Sequence, residues 1–578
     1  MALGLGLLAQ ALFLFGISGR FGAGALVVVA GLALVCGARN RKAARADLAE
    51  ISAGRRARSP LFWCLAVGAL AGPAWLALYP PIAWDDTIYH LPLARSLVEH
   101  GRYLFVGNLR APVFPLLGET LFAPALLCGR ASTAHGVSLV ATCATALLLL
   151  AWGEGRFVAA GRTDRSASWA LAPAAIWIGQ PIVVFYAGST FIEPLLTLFA
   201  TASVLSFECW RSDRSDQSER RLAWLLAAGA FAGWAAATKY LGLYLVAALA
   251  LAAAWEAGRG SRLRAAAQFA GAAGLVAAPW YALIWVLAGN PLFPFLGSLF
   301  GGGAWREAEA VSLSGVETGW LANGLGLLRL GWDLVVSRAR VGAQPPASPL
   351  VIAALPLLLY VAWRERRARL WVAIIAGFAV VFFALPRDSR YLMFLSPLLA
   401  VLLAAALRDL LQRAATCRPV LSRLPSLAAG ALVLLGIATG PAYALWRTRI
   451  AGPPPITAAA TDAFLARRLP LYRALLFRRA RSLEEVPLYA LHGERLHDFG
   501  GSALLGDWIG PYRFQLVLPL LDRPEELARQ LHELGAAQLL LPRSLVSRGV
   551  VEGLVASPRF RELYRDDDAV LFALVTPR

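Results

Sequence analysis

Two adjacent carboxylates, Asp85 and Asp86, stand in the stretch YPPIAWDDTIYHLPLARSLVEHGRYLF, just beyond the nearly uncharged run LFWCLAVGALAGPAWLALYP. A carboxylate beside a membrane-embedded cavity is a functional candidate, above all as a general base. Tyr89 and His90 follow within a turn, and Glu193 stands in YAGSTFIEPLL. Lys239 and Tyr240 close AAATKY, and Arg387, Asp388, Arg390 and Tyr391 share PRDSRY. Each has a plain reading. Asp85 or Asp86 can cap the helix that begins there, with its charge at the positive end of the dipole. Lys239 can snorkel, and PRDSRY can be a solvated turn. As a set, an acid with several cations suits a lipid phosphate held beside a proton-accepting group. Asp85, Asp86 and Glu193 also offer oxygen ligands to a divalent metal, Mg or Mn, although no spacing demands one.

What positions these residues follows from composition. The chain is 58% hydrophobic and 16% charged, against about 25% charged in an ordinary soluble domain, with repeated apolar runs near the length of a membrane crossing. That predicts an all-α polytopic membrane protein. The net charge of +19 sits in Arg clusters between apolar runs, as the positive-inside rule expects, so nucleic acid is not the partner. The cysteines Cys36, Cys64, Cys128, Cys143, Cys209 and Cys417 show no CxxC spacing and predict neither a disulfide framework nor a zinc site. Met1 to Ser18 lacks a basic leader and reads as a retained helix.

Spans are predicted at 2–17, 21–38, 60–79, 134–152, 168–186, 190–207, 222–238, 241–257, 265–288, 349–363, 370–385, 391–407 and 424–446, about thirteen in all. The Arg-rich loops 39–59, 258–264, 364–369 and 408–423 then share the cytoplasmic side, with the N-terminus. The opposite side receives the acidic pair, a long loop from about 289 to 348, PRDSRY and everything after about 447. That last segment changes character. It opens with the linker GPPP, continues with helical spacing, the strand-like VPLYAL, the helix RPEELARQLHELG ended by Gly535, and the strand-like AAQLLLP and AVLFALV. A small extracytoplasmic α/β domain is predicted at 447–578. It carries no phosphate-cradling glycine motif, and the chain shows no short internal repeat.

The acidic pair with YHLPLARSLVEHG, then NLRAPVFPLLGETLFAPALL, a later TKY, GNPLFPF at 289–295 and RYLMFLSPLLAVLLA at 390–404 resemble the polytopic GT-C glycosyltransferases. The branch is that of the protein O-mannosyltransferases and the lipid A aminoarabinose transferases, glycosyltransferase family 39-like. The resemblance covers roughly 60–446 and implies a GT-C-like catalytic module there, with its first external loop at 80–133. It implies a plasma-membrane enzyme of the cell envelope that moves a hexosyl or pentosyl group from a polyprenyl-phosphate donor to a glycolipid, glycan or protein acceptor at the outer face. By position, the acid of that loop, acting as base or acceptor-orienting group, is Asp86 or Asp85, with Asp86 favoured as nearer the turn of Tyr89 and His90. Lys239, Arg390 and Arg387 are expected on the donor phosphate, and Tyr89, His90, Glu193, Tyr240 and Tyr391 around the substrates. Two departures stand out: an additional hairpin at 1–38 precedes the module, and the C-terminal segment matches the family's outer domains in layout only. The competing readings are a transporter or flippase of a lipid-linked substrate, and an outer-face polymerase or ligase of lipid-linked glycans. Against the transporter, the acids gather at one membrane face and no inverted repeat is visible.

Overall fold

Hydrophobic runs become helices along most of the chain, because a long apolar segment satisfies its backbone only by internal hydrogen bonding. The computed structural model describes residues 1–39, 60–109, 111–157, 167–213, 218–301, 320–342, 345–418, 420, 423–505 and 513–575. The basic loop expected at 39–59 lies outside the described residues beyond Arg39. Helices run over Ala2–Ile17, Ala23–Arg39, Pro60–Leu76, His135–Phe157, Glu193–Ser212, Ser218–Thr238, Leu241–Glu256, Arg262–Ala288, Ala354–Arg364, Ala368–Phe383, Ser396–Cys417 and Leu424–Ala451. Among the described residues four helical stretches, Ala131–Phe157, Arg262–Ala288, Ser389–Cys417 and Leu424–Ala451, are by themselves long and apolar enough to cross a membrane. The larger number expected from the sequence counts shorter helices as crossings.

Two expectations are corrected. The run at 168–186 is two helices, Ala167–Ile178 and Pro181–Ala187, bent by 68°. The break falls at Gly179 and Gln180, followed by Pro181, which brings no N–H to continue the ladder. The expected loop from 289 to 348 contains a helix, Trp320–Asp333. Its glycines mask it in the sequence yet let it seat: a Cβ at Gly326 would sit 2.5 Å from the Phe383 ring.

Small residues set the helix spacing. Gly229 and Gly233 lie four apart on Ser218–Thr238, so they share a face. A Cβ at either would come within 2.4 Å of the carbonyl oxygen of Phe269 or Ala273 on Arg262–Ala288. The helix Pro60–Leu76 packs on the much later helix Leu424–Ala451. Trp75 donates its indole N–H to Thr448 Oγ1 at 2.9 Å, and Tyr79 its hydroxyl to the Gly452 carbonyl at 2.5 Å.

The C-terminal domain forms a five-stranded sheet in the order β2-β1-β3-β5-β4. Its strands are β1 (Leu488–Ala490), β2 (Leu504–Leu505), β3 (Gln538–Pro542), β4 (Phe560–Arg565) and β5 (Ala569–Leu574). β1 lies parallel to β2 and β3, while β5 runs antiparallel to β3 and β4. Every residue of β1 and β3 is buried, which is why those stretches read as unbroken apolar runs instead of alternating ones. The helix Pro524–Glu533 covers the sheet through Leu527 and Leu531, and Gly535 supplies the left-handed turn that ends it, at φ +79°. The domain rests on the acidic loop and the helix after it, with Phe464 against Tyr79 and Asp498 against Arg95.

Candidate active site

The acidic pair opens a short π-helical turn, Asp86–His90, that runs into the helix Leu91–His100. Neither carboxylate caps it, contrary to the plain reading from sequence: Asp85 stands at the cap position without accepting a backbone N–H of the turn. Both are buried instead, at 5% and 1% exposure. A buried carboxylate needs specific partners, and the two find different ones.

Asp85 is locked. Its Oδ2 accepts from the Arg390 guanidinium and from the Tyr89 hydroxyl. Burial opposes its charge, but Arg390, His90 and the Tyr89 bond prevail and hold the carboxyl down at about 2. Arg390 also lies 2.9 Å from Asp388 and 3.7 Å from Glu193, and its guanidinium sits 5.1 Å from the centroid of the Phe191 ring. Lys239 does more than snorkel: its Nζ is 2.5 Å from Glu193 Oε1 and 4.9 Å from the centroid of the Tyr391 ring. The structure thus joins Asp85, Tyr89, Glu193, Lys239, Arg390 and Tyr391 in one cluster, assembled from residues up to 305 positions apart.

Asp86 is differently placed. Its Oδ1 accepts the backbone N–H of Thr190 at 3.1 Å, a donor that the loop after the broken helix delivers. Its Oδ2 lies 4.0 Å from His135 Nε2; the other His135 nitrogen is 3.1 Å from the Ala77 carbonyl. Among the described residues no Lys or Arg lies within ion-pair distance of Asp86. Burial pushes its carboxyl up to about 7, and the Thr190 bond offsets that only in part. Asp86 faces a cavity of about 120 Å³ lined also by Tyr79, His135, Ser189 and Arg447. Phe185 and Arg447 continue into a groove of about 700 Å³ whose walls include Arg338, Arg340, Tyr443 and Trp446.

The remaining expected residues sit around this pair. His90 Nδ1 is 2.6 Å from Glu119 Oε1, both fully inside the protein, and His90 supports both carboxylates through its charge when protonated. Tyr240 donates to the Phe293 carbonyl at 2.6 Å and reaches Tyr89 only through the Phe114 ring. The Arg387 guanidinium bonds Asn323 at 3.1 Å and lies 5.2 Å from the centroid of the Phe383 ring. Sequence reading missed Glu119, His135, Thr190 and Arg447. His135 carried a signal, as a lone titratable residue at the start of an apolar run; Thr190 carried none.

Among the described residues no group of three or more His, Cys, Asp or Glu gathers as ligands, since Asp85 and Glu193 each turn to a cation.

Known proteins resemble different parts of the chain. Residues 139–288 match the family model described as dolichyl-phosphate-mannose-protein mannosyltransferase, and residues 460–573 match one described as SF2091/S2213. An uncharacterised protein of Shigella flexneri, SF2093/S2215, is 51% identical over 53 residues, which is 9% of this chain and 27% of that protein, so the chain spans about a quarter of that relative. Among solved structures, ArnT from Cupriavidus metallidurans bound to undecaprenyl phosphate superposes with a TM-score of 0.57 at 14% identity, covering 90% of this chain and 100% of that one. The Archaeoglobus fulgidus oligosaccharyltransferase in complex with Zn and sulfate gives 0.54 at 12% identity, covering 88% and 73%. At these identities the likeness is one of fold.

Proposed function

We propose that this chain, which has the GT-C fold, is a membrane glycosyltransferase. It transfers a sugar from a polyprenyl-phosphate donor to an acceptor hydroxyl at the outer face, with Asp86 as general base. The observation that carries the reading is the division of labour between adjacent acids: Asp85 is bound by Arg390 and Tyr89, while Asp86, which accepts from Thr190 and has no Lys or Arg within ion-pair distance among the described residues, faces a cavity. An ionisable group poised near neutral pH is suited to take a proton there.

The step balances without a further reactant. The acceptor oxygen attacks the anomeric carbon as its proton passes to Asp86, and the bond from that carbon to the phosphate oxygen breaks. The polyprenyl phosphate leaves with its electron pair, its charge met by Lys239 and Arg390, which are fixed in advance by Glu193 and Asp85. One displacement inverts the anomeric centre. The groove beyond Arg447 gives the acceptor an approach, and its arginines suit one that bears negative charge.

The test is release of free polyprenyl phosphate from a synthetic glycosyl donor by the purified protein in detergent, with acceptor lipid extracts added. Release that requires Asp86 is the expected outcome. Donor crossing liposomes with no sugar released would overturn it in favour of a transporter.

A further inference from the structure

Charged residues are rarely buried without purpose, and the C-terminal domain buries several together where it meets the acidic loop. Glu494, His497 and Asp498, at 3%, 4% and 5% exposure, occupy the turn that follows β1. From this turn Arg495 donates to the Ile82 carbonyl at 2.5 Å and lies 6.0 Å from the centroid of the Trp84 ring. Asp498 Oδ1 accepts from Arg95 Nη2 at 2.8 Å and Nε at 3.2 Å. Ile82 and Trp84 precede the acids and Arg95 follows them, so one short segment of the outer domain grips the loop on both sides of Asp85 and Asp86.

We infer that His492–Asp498 is a clamp on the acidic loop, and that Arg495 is a positioning residue that fixes the loop backbone and lends Asp86 a positive neighbour. Among the described residues, the groups around Asp86 are Asp85 and His90 of its own turn, His135 from His135–Phe157, Thr190 and Arg447 across the cavity, with Arg495 acting on it by charge from its seat on the Ile82 carbonyl. Of these groups Arg495 alone comes from the sheet-bearing domain beyond the helix Leu424–Ala451, which makes that domain part of the site.

The role in catalysis rests on the glycosyltransferase reading; the clamp itself does not. The experiment therefore has two arms, both on the full chain in detergent. In the first, amide exchange of residues 82–90 is followed in Arg495→Ala, with Arg543→Ala as a control elsewhere in the same domain. Exchange faster by about tenfold, with β3 and β5 unchanged, is expected; parental exchange overturns the clamp. In the second, the acid limb of kcat/KM is compared. Loss of a nearby cation raises the proton affinity of a carboxyl, so the limb should move up by roughly half a pH unit in Arg495→Ala and stay in place in Arg495→Lys. A loosened loop with an unmoved limb overturns the electrostatic role. No turnover in the parent counts against the glycosyltransferase reading and leaves the exchange arm to decide the clamp. Should Arg495→Ala unfold the domain, Asp498→Asn breaks the other grip: exchange should rise in 91–100 with the limb unmoved, and unchanged exchange there overturns the clamp.

Discussion

The two ends of the helical bundle use charge in opposite ways. At the end away from the C-terminal domain, ion pairs fasten elements together, Arg156 to Glu365, Arg211 to Glu256 and Arg364 to Asp409, or brace a single helix, Arg211 to Glu208 and Arg413 to Asp409. Most of these groups are partly exposed; Arg156 and Glu365, for example, stand at 22% and 38%. Such pairs contribute little each and serve as fasteners. At the other end Asp85, Asp86 and Glu193 are buried, and the cations pair with only two of them. Burying charge is costly unless it is paired, so an end that leaves one acid outside any Lys or Arg ion pair among the described residues carries a cost, which the base role proposed for Asp86 would account for.

That contrast can be broken. The largest effect is expected for Arg390→Ala, which strands Asp85 in the interior: a loss of about 3–5 kcal/mol, read as the denaturation midpoint of the detergent-purified protein. A midpoint within experimental error of the parent would place Asp85 in water. Next, Asp86→Asn keeps the acceptor for Thr190 N–H but not the basicity, and turnover should fall by about 10² or more; near-parental phosphate release would remove Asp86 from the chemistry. Lys239→Ala should weaken carrier-lipid binding by about tenfold, with Glu193→Gln tested beside it.

The pH dependence of stability gives a subtler check. Asp86 has a folded pKa of about 7 against an ordinary 3.8, so the folded protein holds a proton that the unfolded chain has lost. Stability from this group falls as pH rises from about 4 to 7 and stays low above. Asp86→Asn should accordingly be more stable than the parent at pH 8, by at least about 1 kcal/mol, with the gap closing towards pH 4. The smallest effect belongs to the fasteners: Arg156→Ala should cost under about 1 kcal/mol and leave turnover alone. Equal losses for Arg156→Ala and Arg390→Ala would erase the distinction between the ends.

The helices were legible because apolar composition forces them, and the C-terminal domain because its caps and apolar strands are local signals. The acids, Lys239 and Arg390 were legible as types in unusual places. Their pairing was not: Lys239 meets Glu193 across 46 positions and Arg390 meets Asp85 across 305, and nothing in a local window encodes such distances. The capping role failed for the same reason, since tertiary donors took the carboxylates away from the helix end. The bend at Gly179 was written in the sequence as Gly-Gln-Pro, but hydropathy averages over it. Arg495 stood in HGERLHD, a charged run that reads as solvent-facing until the domain is docked.

The packing of Pro60–Leu76 on Leu424–Ala451 also sets an order of events during synthesis. The acidic loop is made early, yet Arg390, the closing helix and Arg495 are made late, so the carboxylates spend most of translation without the surroundings that bury them. Closing so long a loop is slow and comes last. The acidic cluster is therefore incomplete until the last third of the chain has been inserted, and a ribosome-bound chain of an Asp86→Cys variant halted before residue 424 should leave that thiol open to aqueous reagents that the finished protein excludes.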